Sequence, residues 1–163
     1  MDPIKIVISS CLLGKRVRYD GRHKLDRYLK DTLGKSVKWV GICPETGCGL
    51  PVPRECMRLS GSCRAPRLIA EDTGKDRTGM MMKWIERELP RLRRSGISGF
   101  VLKSRSPSCG VKNVRLYSPN GRVTRKGTGL FARAVIDAFP DMPVLQENSP
   151  RPALNKLSRQ GRV

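Results

Sequence analysis

The sequence contains no apolar run that approaches the roughly 20 residues of a transmembrane helix. Its first apolar stretch, residues 4–9, is shorter than the hydrophobic region of a signal peptide and precedes no small-residue cleavage pattern. With 38% hydrophobic and 29% charged residues, the composition is that of a water-soluble chain. We therefore expect a cytoplasmic protein that does not associate with membranes.

Histidine is almost absent, and closely spaced cysteine pairs are missing. His23 is the single histidine, which argues against a Cys–His catalytic dyad. No Cys-x-x-Cys occurs, which argues against a zinc ribbon or a thioredoxin-type redox pair. The chain has six cysteines, of which the nearest two, Cys43 and Cys48, form a Cys-x4-Cys pair. A cytoplasmic chain of 163 residues builds its core without disulfides, so we expect free thiols.

Acidic residues are scarce: 14 Asp and Glu stand against 33 Lys and Arg, which gives a formal net charge of +19. No acidic residue occurs between Lys103 and Lys126 or in the segment 148–163. Such a field attracts polyanions such as RNA or DNA. Aromatic residues make up only 5% of the chain, and no aromatic RNA-binding signature is present. The charge thus indicates either a nucleic-acid partner or merely a basic surface.

Short apolar strands alternate with amphipathic helices along most of the chain. The predicted strands cover 4–9, 37–42, 67–70, 98–103 and 143–146, and residues 113–126 are expected to form a hairpin. The predicted helices cover 23–33, 77–94 and 128–138. Asp76 is expected to cap the second helix, and Pro90 to bend or shorten it.

This alternation predicts an α/β fold. We expect a three-layer, Rossmann-like domain with a mainly parallel sheet, whose cysteine loops lie at the carboxyl ends of the strands. The domain is expected to span residues 1–147. The basic, proline-containing segment 148–163 is expected to be a flexible tail.

Three cysteines follow predicted strands. Cys11 and Cys43 come at the ends of the first two, and Cys109 lies in the loop after strand 98–103. Parallel strands end at one edge of the sheet, where open α/β sheets bind ligands, so we expect these thiols to converge. Structural zinc usually takes four ligands from local pairs. Three thiolates from distant loops suit a [4Fe-4S] cluster better, and they leave its fourth iron open for chemistry on a substrate.

Three groups of residues resemble the motifs of one protein family. They are Ser10-Cys-Leu-Leu-Gly14 with Arg18-Tyr-Asp-Gly21, Cys43-Pro-Glu45 with Gly49-Leu-Pro51 and Pro53-Arg54, and Leu102-Lys103 with Ser106-Pro-Ser-Cys-Gly110. The family consists of small prokaryotic proteins that include thiouracil desulfidases, and related domains act on 4-thiouridine in tRNA. The resemblance covers about residues 4–147. It implies a [4Fe-4S] cluster on Cys11, Cys43 and Cys109.

Cys48 departs from the family pattern, which more often has glycine at that position. This departure leaves open whether Cys48 replaces Cys43 as a ligand, adds a fourth ligand or simply packs. Cys56 and Cys63 lie outside the motifs, and we expect them to be structural thiols.

The resemblance implies removal of sulfur from a thiocarbonyl without redox chemistry and with release of hydrogen sulfide. Thiolate-bound iron is a soft acid suited to sulfur. Glu45 is the expected general acid and base for the attacking water or a ring nitrogen, unless it only bonds to loop backbone. Ser106 is expected to hydrogen-bond the substrate or relay a proton.

The expected substrate-binding residues are Ser10, Asp20, Lys103 and Ser108. Three of them have a second interpretation. Ser108 would brace its loop, Asp20 would pair with Arg18, and Lys103 would offset the negative charge of a thiolate cluster or lie in solvent.

The expected substrate is a small thiolated pyrimidine, and the basic charge favours a thiolated nucleotide or tRNA. Two other functions remain open at this point. One is a non-catalytic iron–sulfur protein that binds RNA and senses redox state, which a fourth ligand from Cys48 would favour. The other is a cluster-free nucleic-acid binder whose cysteines are core thiols.

Overall fold

The structure is a computed structural model that describes residues 2–159. The strands are β1 (Lys5–Ser9), β2 (Lys38–Ile42), β3 (Met57–Gly61), β4 (Pro66–Ala70), β5 (Ile97–Leu102), β6 (Val114–Tyr117), β7 (Val123–Gly127) and β8 (Val144–Gln146). The α-helices are α1 (Pro44–Gly47), α2 (Thr78–Arg94), α3 (Leu130–Ala138) and α4 (Arg151–Lys156). Short 3-10 turns cover Ser10–Leu13, Leu33–Lys35 and Leu157–Arg159, and a π-helical turn covers Tyr28–Thr32.

The first sheet is parallel throughout and has the strand order β2-β1-β5-β8. Ile6, Val7 and Ile8 of the central strand β1 are completely buried, because helical elements cover both faces of the sheet. Val7 packs with α2 and α3 on one face, whereas Ile6 and Ile8 pack with the π-helical turn and α4 on the other. The predicted α/β fold with a parallel sheet is therefore confirmed.

A second sheet, with the strand order β4-β3-β6-β7, shares the hydrophobic core of α2 and α3. Its β6–β7 hairpin corresponds to the hairpin predicted over 113–126. The sequence pattern does not predict β3, because the alternation of Met57 and Leu59 with polar residues is too short to stand out. β3 pairs antiparallel with β4 and parallel with β6, so the second sheet is mixed.

The helix predicted over 23–33 is shorter in the structure, where helical turns begin only at Tyr28. The amide of Lys24 donates to the carbonyl of Cys11 at 2.9 Å, and the amide of Asp26 donates to that of Leu12 at 2.8 Å. These hydrogen bonds hold residues 24–26 against the first cysteine loop, ahead of the first helical turn.

Helix α2 runs through Pro90 and is not shortened by it. Ile85 and Leu92 are buried on either side of the proline and hold both halves of the helix on the core. The N-cap of α2 is Arg77, so the prediction that Asp76 caps the helix is wrong by one residue. Asp76 lies just before the N-cap, and its Oδ1 accepts the amide of Thr78, the first helical residue, at 2.9 Å. Among residues 2–159, no helix is long and apolar enough to cross a membrane.

The segment predicted as a flexible tail is folded over most of its length, which corrects that prediction. α4 and the 3-10 turn after it dock on the first sheet, with Leu154 and Leu157 only 2% and 1% exposed. Two leucines among basic and polar residues are too few to change the composition, so the sequence pattern does not reveal this docking. Residues 160–163 of the segment lie outside the described range.

We expect Leu154→Ala to lower the free energy of unfolding by about 2–5 kcal/mol, because it leaves a cavity between α4 and the sheet. Urea denaturation of the cluster-free protein measures the change. Lys156→Ala is the control, since Lys156 is exposed on the same helix; it should alter stability by less than about 0.5 kcal/mol. Equal stability of the two variants would contradict the docking of α4.

Candidate active site

The carboxyl ends of three neighbouring strands deliver three thiols to one cavity. Cys11 follows β1, Cys43 follows β2, and Cys109 lies in the loop after β5. All three line a cavity of about 680 Å³. Cys11 and Cys109 are buried, and Cys43 is half-buried. The structure therefore brings together the thiols that the sequence pattern selects.

Local backbone geometry fixes the first two cysteines. The carbonyl of Cys11 accepts the amides of Gly14 at 3.2 Å and Lys24 at 2.9 Å. Gly14 has a φ of +92°, which glycine adopts without strain, so the chain turns back directly after the cysteine. Cys43 has an extended backbone at the end of β2, and Pro44 begins α1 immediately after it.

The Cys109 loop is held by its own serine and by α3. Ser106 Oγ accepts the amides of Ser108 at 3.2 Å and Cys109 at 3.0 Å. The carbonyls of Pro107 and Ser108 accept amides from the first turn of α3, including that of Phe131 at 2.9 Å. The loop thus satisfies the free amides of the helix, and the helix fixes the loop.

Gly129 precedes α3 at a point where a side chain does not fit. A Cβ there would lie 2.5 Å from the carbonyl of Ser108 and 2.8 Å from the amide nitrogen of Cys109. We expect Gly129→Ala to lower the free energy of unfolding by about 1–3 kcal/mol and to expose Cys109 to thiol reagents.

Urea unfolding and thiol labelling measure these two effects. Gly79→Ala is the control, because an added Cβ at Gly79 in α2 meets no atom within 4 Å. It should be neutral or slightly stabilising. If Gly129→Ala behaves like Gly79→Ala, the loop is not held as described.

Burial disfavours the thiolate forms of two cysteines. It raises the pKa of Cys11 to about 11, and the positive charges of Arg18 and Lys103 offset this only in part. Burial likewise raises the pKa of Cys109 to about 12, despite a hydrogen bond from the Ser9 hydroxyl. A metal that binds these thiols therefore displaces their protons.

The donor set suits an iron–sulfur cluster rather than a single metal ion. Within residues 2–159, no three His, Cys, Asp or Glu side chains are grouped closely enough to hold one ion. A cluster takes one cysteine for each iron, so its thiolates are spaced more widely than the ligands of one ion. Three free thiols around this cavity fit a [4Fe-4S] cluster with one iron that lacks a cysteine.

Glu45 lines the same cavity from α1 and is held by a buried arginine. Arg54 Nη2 donates to Glu45 Oε2 at 2.7 Å, and the two side chains are 4% and 16% exposed. In the described part of the chain, no residue donates a hydrogen bond to Glu45 Oε1. One carboxylate oxygen is therefore fixed, and the other has no hydrogen-bond partner among the described residues.

Lys103 lines the cavity, but its ammonium is fully committed. Nζ donates to Glu147 Oε1 at 2.8 Å and to the carbonyl and hydroxyl oxygens of Ser104 at 3.0 and 3.1 Å. An ammonium has three N–H donors, so none is left for a substrate. Glu147 also accepts the Ser104 amide at 2.8 Å and thereby ties the end of β8 to the loop after β5. These contacts favour a structural role for Lys103 over substrate binding.

All three predicted site serines, Ser10, Ser106 and Ser108, line the cavity. Ser108 is only 2% exposed, and its Oγ lies 3.0 Å from that of Ser106. The hydrogen bonds that brace the loop are accepted by Ser106, whereas the sequence pattern assigns bracing to Ser108.

Asp20 and Cys48 do not line the cavity. The Asp20 carboxylate accepts the amide of Arg22 at 3.0 Å and lies 3.9 Å from Arg18 Nε, so its contacts favour the pairing interpretation. Cys48 Sγ donates to the carbonyl of Glu45 at 3.2 Å, and its side chain packs against the core. Of the three options for Cys48, this placement favours packing.

Several residues around the cavity are not selected by the sequence pattern. Glu147 and Ser9 lie at the carboxyl ends of parallel strands, which is the same position that selects the three cysteines. Arg58 lies on β3, which the pattern does not predict. Cys56 is expected to be structural, but it also lines the cavity, just before β3. Arg54 belongs to a family motif, but no sequence signal gives it a role.

A parallel sheet that gathers three thiols and a carboxylate at one cavity defines an α/β protein with a site of the iron–sulfur type. Residues 6–147 match the family model of the 2-thiouracil desulfurases. The chain therefore belongs to the 2-thiouracil desulfurase family, as its motifs indicate.

Two relatives illustrate this membership. The chain is 32% identical over 110 residues to the uncharacterized protein YbbK of Bacillus subtilis (strain 168), and the match covers 64% of this chain and 72% of YbbK. It is also similar to the solved structure of the [4Fe-4S]-dependent thiouracil desulfidase TudS, with a TM-score of 0.74 and 33% identity. That match covers 96% of this chain and 99% of TudS, so the fold is shared almost throughout.

Proposed function

We propose that this protein is a [4Fe-4S]-dependent desulfidase that removes sulfur from thiouracil, or from a thiolated uracil nucleoside or nucleotide, as hydrogen sulfide. The observation that carries the proposal is a single cavity lined by Cys11, Cys43, Cys109 and Glu45. The similarity to TudS, a [4Fe-4S]-dependent thiouracil desulfidase, supports it.

Cys11, Cys43 and Cys109 would hold the cluster. When bound through three thiolates, a [4Fe-4S] cluster supplies one open iron, a soft Lewis acid with affinity for sulfur. Arg18 and Lys103 lower the pKa of Cys11 and so favour its thiolate, although burial outweighs them in the protein alone.

The proposed reaction is a hydrolysis that needs no electrons. The water oxygen forms a bond to the ring carbon, the carbon–sulfur bond breaks, and both protons of the water end on the sulfur. Glu45 Oε1 accepts a proton from the water and returns it to the departing sulfur, either directly or through the ring nitrogen. Ser106 Oγ already accepts two amides, so its own proton is available for Ser108 or for the substrate.

A wall of arginines supports a substrate that carries phosphate. Arg58, Arg115 and Arg125 line the cavity from the second sheet. The Arg58 guanidinium stacks 4.7 Å from the ring centroid of Tyr117, and its buried Nε has no hydrogen-bond partner within residues 2–159. Guanidinium groups bind phosphate in a bidentate manner, so this wall favours a thiolated nucleotide, or thiolated tRNA, over the free base.

Anaerobic assays of the reconstituted protein with 2- and 4-thiouracil and with thiolated uridine monophosphates test the function. We expect equimolar hydrogen sulfide and desulfurated product without an added reductant. A charged hydrogen bond to phosphate should raise kcat/KM for the nucleotide about 10-fold or more. Equal values for base and nucleotide would discard the phosphate interaction, and absence of release from every substrate would discard the desulfidase.

Binding of thiolated tRNA is measured separately, at several salt concentrations. Phosphate contacts predict binding that weakens steeply as salt increases. If no binding occurs even at low salt, tRNA is not a substrate.

A further inference from the structure

Arg54 connects three segments around the cavity. Among the side chains that form ion pairs within residues 2–159, that of Arg54 is the least exposed, at 4%. Nη2 donates to Glu45 Oε2 at 2.7 Å and to the carbonyl of Val17 at 2.8 Å, and Nη1 donates to the carbonyl of Pro51 at 3.1 Å. The Arg54 amide donates to the carbonyl of Tyr19 at 2.8 Å. Backbone groups thus fix the guanidinium independently of the carboxylate.

Glu45 depends on this support because its own element is short. α1 is a single turn of four residues, and a helix of that length has little stability of its own. The neighbouring Cys43 has an extended backbone, so the regular helix does not continue toward the sheet. The hydrogen bond from Arg54 is the side-chain contact that orients the Glu45 carboxylate.

We propose that Arg54 is a positioning residue of the desulfidation reaction. It holds Glu45 by Oε2 and so leaves Oε1 in place for the attacking water and the substrate. This inference rests on the function proposed above, in which Glu45 moves the proton. Lysine cannot replace Arg54 fully, because a point charge on a flexible stem lacks the planar fork that bonds to Glu45, Val17 and Pro51 together.

The test is a double-mutant cycle on the reconstituted full chain with Arg54→Met, Glu45→Gln and both together, supplemented by Arg54→Lys. Iron per chain, thermal midpoint, KM and kcat are measured for each variant. Arg91→Met is the matched control, because Arg91 forms an equally close pair with Glu88 at 2.6 Å and neither residue lines the cavity.

We expect Arg54→Met to lower kcat about 10- to 100-fold, since misplacing a catalytic group by about 1 Å has effects of this size. Iron content and KM should stay near wild type, and Arg54→Lys should recover part of kcat. Adding Arg54→Met to Glu45→Gln should cost nothing further, because one residue acts through the other. Arg91→Met should leave kcat unchanged.

The proposal would be overturned if the kcat of the double variant fell by the product of the two single-variant losses. It would also be overturned if Arg54→Met lost enough iron to account for its lower kcat. If Arg54→Met does not fold, Arg54→Lys decides. A reduced kcat at full iron content supports positioning, and a wild-type kcat contradicts it. Absence of sulfide release by wild type would overturn the desulfidase and this inference together, whereas multiplying losses in an active enzyme overturn this inference alone.

Discussion

Replacing Cys109 by serine should abolish sulfide release and most of the bound iron. Cys109 is one of three thiols at the cavity, and it lies in a loop held rigidly by Ser106 and α3. A serine oxygen is a poor ligand for iron that prefers thiolate. The remaining two cysteines would supply thiolates to only two of the four irons. Iron, acid-labile sulfide and visible absorption after anaerobic reconstitution measure the loss.

Cys48→Ser and Cys56→Ser are the matched controls for this experiment. Cys48 does not line the cavity and donates only to the backbone carbonyl of Glu45, so its replacement should leave iron and activity unchanged. Cys56 lines the cavity near β3 and could therefore be a ligand as well. If Cys11, Cys43 and Cys109 alone hold the cluster, the Cys56→Ser variant also retains its iron. Loss of iron in Cys48→Ser, or full iron in Cys109→Ser, would contradict the assignment of ligands.

Replacing Glu45 by glutamine should lower kcat about 10²–10⁴-fold while the cluster stays in place, which is the usual contribution of a general acid–base residue. Glutamine keeps the shape of the side chain and can still accept the hydrogen bond from Arg54. It cannot accept a proton at the position of the free Oε1. The rate loss should therefore appear in kcat, with iron content and thermal midpoint near those of wild type.

Glu71→Gln is the control for charge in the cavity. Glu71 is exposed and also lines the cavity, but it lies on the side of the second sheet. A nonspecific effect of removing a carboxylate would slow both variants similarly. Nearly full activity of Glu45→Gln would show that another group moves the proton.

The strand ends were the most informative part of the sequence. Short β-branched strands followed at once by Cys11, Cys43 or a serine–proline loop are local signals, and parallel pairing turns them into one site. The same rule applies to Glu147 after β8, which fixes Lys103, but an acidic residue there does not stand out as a cysteine does.

Other features depend on contacts between distant segments and leave little trace in the sequence. β3 has only two buried apolar residues, so its partner β6 determines it as much as its own pattern. The docking of α4 depends on Leu154 and Leu157 meeting the face of the sheet. The pairing of Arg54 with Glu45 joins residues whose order in the chain does not indicate contact.

The most direct test of the central claim is one anaerobic measurement of iron, acid-labile sulfide and hydrogen sulfide release on the same reconstituted sample with thiouracil. A three-cysteine [4Fe-4S] desulfidase predicts about four iron and about four sulfide per chain. It also predicts release that continues for many turnovers without a reductant and stops when the iron is removed. A chain without iron, or a full cluster with no release of sulfide from thiouracil or its nucleotides, would contradict the account.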